Sequence, residues 1–149
     1  MGPGTLANDA IAGQLSLLSK TGLILVSGEF GRRLVKNANG AKLLFHTLEI
    51  PEGYAFQRSD IENALNNYPD VGWLWGTHCE TSTGVLNDLE LYKNVCIARD
   101  IKLVPVHKWP FSSNSSLLWK FYPPLKRGTR HRDINYMPAV KFSSRLDLE

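Results

Sequence analysis

Val71-Gly72-Trp73-Leu74-Trp75-Gly76-Thr77 runs directly into His78-Cys79-Glu80-Thr81-Ser82-Thr83-Gly84-Val85-Leu86-Asn87-Asp88. The first part is an unbroken apolar run, the signature of a strand buried on both faces. The second part gathers hydroxyls, a carboxylate and a glycine. Asn87 or Asp88 then caps a helix that continues to about Ala98. A strand opening into such groups is how α/β enzymes present chemistry at the carboxyl end of a sheet.

The chain on either side repeats the same grammar. Ala7, Ile11, Leu15 and Leu18 sit at helical spacing, and Asp9 near the start suits the positive end of the helix dipole. Thr21-Gly22 reads as the end of that helix, with glycine as its C-terminal cap. Leu23 to Val26 is a short apolar strand. Ser27-Gly28-Glu29 turns into a helix from about Phe30 to Asn37, with Asn39-Gly40 as a turn signal. Ala41 to Leu48 reads as a strand. Ser59 is the expected N-cap of a third helix, with Glu62 at capping-box spacing. Ile101 to Val106 is the last strand of the series. Strands alternating with helices predict an α/β fold with a parallel sheet and right-handed crossovers.

The chain has 149 residues and a formal net charge of +3. No apolar run approaches the roughly 20 residues that a membrane helix needs, and no signal peptide is visible. The two cysteines, Cys79 and Cys96, offer neither a disulfide framework nor metal-ligand spacing. The expected setting is reducing, intracellular and cytoplasmic, with no membrane partner and no metal. The charge is uneven: residues 1–106 carry 9 Lys/Arg against 11 Asp/Glu, and residues 107–149 carry 8 against 3. The expected organisation is an α/β domain over 1–106, followed by an irregular, basic, aromatic-containing tail over 107–149.

Three junctions carry a resemblance. Gly2-Pro3-Gly4-Thr5 precedes the first helix, Gly28-Glu29-Phe30-Gly31 follows the first strand, and His78 to Asp88 follows the third. Glycine-rich turns at helix N-termini present backbone N–H groups that suit a phosphate. In this order the motifs resemble the class V aminotransferases, pyridoxal-phosphate enzymes of fold type I, similar to alanine–glyoxylate and 2-aminoethylphosphonate transaminases. The resemblance implies part of the large cofactor-binding domain, a three-layer parallel-sheet structure. It implies that Gly4 and Thr5 hold the cofactor phosphate, with Pro3 in place of the usual serine. It further implies that Phe30 stacks on the pyridine ring and that Thr81 binds the ring oxygen. Glu80, Ser82, Thr83 and Gly84 shape the loop. Read without the resemblance, Gly4-Thr5 is an ordinary helix start and Phe30 a core aromatic.

The implied activity is transfer of an amino group from an amino acid or amino-phosphonate to a 2-oxo acid, in a homodimer. Two family groups are missing. The aspartate that pairs with the ring nitrogen would fall near Val106, and no acidic residue lies between Asp100 and Asp133. The lysine that joins the cofactor sits in a small-residue setting that Lys108, Lys120, Lys126 and Lys141 lack. Pro105 is out of place in a central parallel strand. The resemblance covers about residues 2–104. The expectation is a truncated, catalytically impaired member, its tail arising from a reading-frame shift or alternative splice. The alternative is a non-catalytic fragment, or a partner of a full-length homologue.

Two other ideas stand lower. His78 and Cys79 would make a nucleophile pair, but adjacent strand residues point to opposite faces. Lys126, Arg127, Arg130 and Arg132 with nearby aromatics would contact nucleic acid, but no nucleic-acid motif accompanies them. A solvated basic tail is the preferred reading.

Overall fold

The computed structural model describes residues 3–106, with side chains from Ala7 onward. The expectations for the tail, including its lysines and its basic run, lie outside the described residues.

The elements are α1 (Pro3–Leu15), β1 (Thr21–Val26), α2 (Glu29–Gly40), β2 (Phe45–Glu49), α3 (Arg58–Asn67), β3 (Val71–Thr77), β4 (Cys79–Glu80), β5 (Val85–Leu86), α4 (Leu89–Arg99) and β6 (Lys102–Val106). Four strands form a parallel sheet in the order β2-β1-β3-β6. The short β4 and β5 pair antiparallel as a separate hairpin.

The strand sequences explain the layers. On β1, Ile24 and Val26 pack on one face with Ile11, Ala12 and Leu15 of α1 and Leu34 and Ala38 of α2. Leu23 and Leu25 pack on the other with Ile61 and Leu65 of α3 and Tyr92, Val95 and Cys96 of α4. Alternate residues therefore enter two cores, so apolar runs rather than alternating patterns fit this sheet. On β3, Trp73 and Trp75 enter the first core and Leu74 the second. Gly22 pairs with Trp73 across β1 and β3, and the indole fills the space that a Cβ on Gly22 would occupy. Trp73 Nε1 also donates to the Lys20 carbonyl at 3.0 Å.

Several local boundaries differ from expectation. Thr21-Gly22 opens β1 and does not cap α1, which ends at Leu15. The α2 helix continues through Asn39-Gly40, and Lys42 takes the left-handed conformation (φ 55) instead. That delays β2 to Phe45. The N-cap of α3 is Gln57, not Ser59, and the Asp60 carboxylate accepts from the Gln57 N–H at 2.8 Å. Asp88 caps α4, accepting from the N–H groups of Glu90 and Leu91. Pro105 is tolerated because β6 is an edge strand among the described residues.

Candidate functional site

The carboxyl ends of β1 and β3, the N-terminus of α2 and the β4–β5 hairpin meet at one edge of the sheet. The connection is made by Glu80, whose side chain is fully buried. Its Oε1 accepts from the Phe30 N–H and its Oε2 from the Gly31 N–H, each at 3.1 Å. The Ser82 hydroxyl donates to Glu80 Oε1 at 2.5 Å and accepts from the Glu29 N–H at 3.3 Å. A carboxylate at a helix N-terminus satisfies free N–H groups and meets the positive end of the dipole. The first N–H groups of α2 are thus occupied from within the chain. This corrects the expectation that they lie open to a ligand.

Gly28 makes this arrangement possible. A Cβ there would stand 2.7 Å from the Glu80 carboxyl carbon and 2.9 Å from Ser82 Oγ. Gly31 matters for packing: a Cβ would lie 2.8 Å from Val26 Cα, so its absence lets α2 approach β1.

Phe30 is half-buried in the first turn of α2. The Arg33 guanidinium lies over one face of its ring, 4.9 Å from the centroid, an attraction between a cation and the ring quadrupole. Glu29 holds that guanidinium through a 3.2 Å contact to Arg33 Nε. Thr81 is exposed, between the two residues that clamp α2. Phe30 and Thr81 therefore lie at the same edge, joined through Glu80. Gly4 and Thr5 form part of the first turn of α1 instead of a loop ahead of it, as proline suits the first helical position. Their side chains are outside the described set.

The remaining polar groups shape the edge. Asn87 is buried and donates from Nδ2 to the Thr77 carbonyl at 3.0 Å. Gly84 takes a positive φ of 75° in the hairpin turn. His78 is half-buried, and desolvation holds its pKa below 6.5. The Ser27 hydroxyl at the end of β1 is buried without a hydrogen-bond partner among the described residues. Val106 pairs with Thr77, so the strand end next to β3 carries no carboxylate. Of the described lysines, Lys20, Lys42 and Lys102 lie before or at the start of strands, Lys36 lies within α2, and Lys93 lies on α4 with Glu90 at 3.3 Å. None is in a carboxyl strand end or in the hairpin. Among the described residues no group of His, Cys, Asp or Glu could hold a metal ion, and no helix is long and apolar enough to cross a membrane.

Sequence reasoning placed Phe30 and Thr81 at junctions but missed Glu80 as the link between them. The signal was available: a lone carboxylate in an otherwise hydroxyl-rich loop, and a glycine before the α2 helix.

No family model matches the chain. The 2-aminoethylphosphonate–pyruvate transaminase of Pseudomonas aeruginosa is 37% identical over 94 residues, which cover 63% of this chain and 25% of that protein. The corresponding transaminase of Aeromonas hydrophila is 31% identical over 103 residues, covering 69% of this chain and 27% of that one. Alanine–glyoxylate aminotransferase from Nostoc superposes with a TM-score of 0.64 at 31% identity, over 70% of this chain and 27% of that structure. The chain spans about a quarter of the length of the curated relatives it matches. The shared sequence and the superposition of the fold lead to one conclusion: the chain belongs to the class V aminotransferases of fold type I.

Proposed function

We propose that the chain takes part in pyridoxal-phosphate-dependent transfer of an amino group, from an amino acid or amino-phosphonate to a 2-oxo acid. The observation that carries this reading is the meeting of Phe30 and Thr81 at one sheet edge through Glu80, within residues that match transaminases. Phe30 and Thr81 are the residue types that would hold a pyridoxal ring, one an aromatic and the other a hydroxyl, on two segments that Glu80 joins. Phe30 offers an aromatic face that Arg33 backs at 4.9 Å, and Thr81 offers an exposed hydroxyl. Gly4 and Thr5, in the first turn of α1, would meet the phosphate, where free N–H groups and the helix dipole favour an anion.

When bound, pyridoxal phosphate supplies an electron sink for bonds broken at the amino-bearing carbon. The part played by the described residues is to hold and orient the ring. They hold no proton-moving lysine at this edge, and Val106 cannot hold a proton at the ring nitrogen. The proposal is therefore that the chain alone binds the cofactor and turns over poorly or not at all. Pairing with a second copy or with another family member is part of the same proposal.

The test is titration of the whole chain with pyridoxal phosphate, followed by assay with alanine or 2-aminoethylphosphonate as donor and pyruvate as acceptor. Binding lost in Phe30→Ala and Thr81→Ala supports the reading. Binding unaffected by both substitutions refutes it. Turnover by the isolated chain refutes the claim of impairment.

A further inference from the structure

We propose that Glu80, assisted by Ser82, is a positioning residue that fixes Phe30 and Thr81 relative to each other. The inference rests on the cofactor reading above and deepens it. Thr81 stands between the two clamp residues in sequence, so wherever Glu80 and Ser82 are held, the Thr81 backbone is held too. Glu80 grips the Phe30 and Gly31 N–H groups with both oxygens, and Ser82 ties that carboxylate to the Glu29 N–H. The link spans 50 residues of sequence in one hydrogen bond. Nothing else described joins the hairpin so directly to the first turn of α2.

The clamp is built for this geometry. The carboxylate is fully buried and has a donor on each oxygen. Only a glycine at position 28 leaves room for it. A general cap would need one acceptor near the helix end; here two side chains from a distant hairpin engage three successive N–H groups. A glutamine at position 80 would keep the shape but offer only one acceptor oxygen. One of the N–H groups of Phe30 and Gly31 would then face an amide NH2 without a partner. The first turn of α2 would loosen and Phe30 with it.

The test uses the whole 149-residue chain with pyridoxal phosphate as the probe. The variants are Glu80→Gln, Ser82→Ala, Phe30→Ala and Asp88→Ala. Asp88→Ala removes the α4 cap and controls for lost stability away from this edge. The readouts are cofactor affinity, induced circular dichroism of the bound cofactor, and amide exchange at Phe30 and Gly31 without cofactor. In Glu80→Gln the two amides are expected to exchange faster, while Leu25 and Trp75 keep their protection. Affinity is expected to fall about tenfold, as for one lost buried hydrogen bond, with loss of most induced dichroism. Asp88→Ala is expected to leave affinity and dichroism unchanged. Should Glu80→Gln not fold, Ser82→Ala decides the matter through a smaller change in the same direction. Wild-type affinity and dichroism in the folded Glu80 or Ser82 variant, with Phe30→Ala impaired, overturns the positioning role and leaves the cofactor reading intact. If the wild-type chain fails to bind, or Phe30→Ala binds as well as wild type, the cofactor reading falls and the positioning role with it.

Discussion

The Asn87 side chain donates to the Thr77 carbonyl at 3.0 Å, closing the path from the end of β3 through the hairpin to α4. The same residue accepts from the Phe56 N–H at 3.4 Å and donates its backbone N–H to the His78 carbonyl at 2.7 Å. Asn87 is 1% exposed, so water cannot replace these partners. Asn87→Ala is expected to lower stability by about 2–4 kcal/mol, since it strands a buried acceptor and a buried donor. Urea unfolding of the whole chain measures this, and a loss below about 1 kcal/mol would mean the site relaxes around the change.

Glycines in α2 should respond in opposite directions. A Cβ at Gly31 would stand 2.8 Å from Val26 Cα and 3.1 Å from the Leu25 carbonyl oxygen, both backbone atoms that cannot step aside. Gly31→Ala is expected to destabilise by about 1–3 kcal/mol through overpacking. Gly40, in the last turn of the same helix, has open space around it. Gly40→Ala is expected to stabilise by up to about 1 kcal/mol through lower chain entropy. Paired thermal melts check both signs.

The layered fold was legible because apolar runs such as Leu23 to Val26 and Val71 to Thr77 do not fit a sheet with one wet face. The helix ends were less legible. Gly22 reads as a helix cap, yet it is needed opposite Trp73, a pairing across β1 and β3 that no local pattern encodes. Lys42, not Gly40, takes the positive φ because the helix finds a further turn of hydrogen bonds. The two-residue strands β4 and β5 are too short to give a period. Phe30 and Thr81 were found through resemblance, and the residue that ties them together was not. Glu80 is coupled to Phe30 and Gly31 by contacts across 50 and 49 residues, which a reading of spacing does not reach. Asp88 was readable because capping is local.

The two cysteines should differ in reactivity. Cys96 is buried in the core under α4, and burial pushes its thiol up to about 12. Thiolate is the reactive form, so Cys96 is expected to resist iodoacetamide at pH 8 until the chain unfolds. Cys79 is only half-buried, on β4, and is expected to label first. Peptide mass spectrometry after timed labelling distinguishes them; early modification of Cys96 in the folded chain would contradict the packing.

His78 provides a pH signature for the same edge. Its backbone N–H donates to the Val106 carbonyl at 3.0 Å, and its carbonyl accepts from Asn87, so the ring is held where desolvation disfavours the charged form. The folded pKa therefore lies below 6.5, while the unfolded chain keeps the ordinary value. Between the two values the unfolded state binds more protons, so stability rises with pH across that window. Conversely, this contribution is full above 6.5 and is lost as pH falls toward the folded pKa, below which it stays flat. The ring proton signals of His78 are expected to titrate with a midpoint below 6.5. The stability difference between the wild-type chain and His78→Gln is expected to shrink on acidification through the same range. A midpoint at or above 6.5 would show that a partner stabilises the charged ring more strongly than burial opposes it.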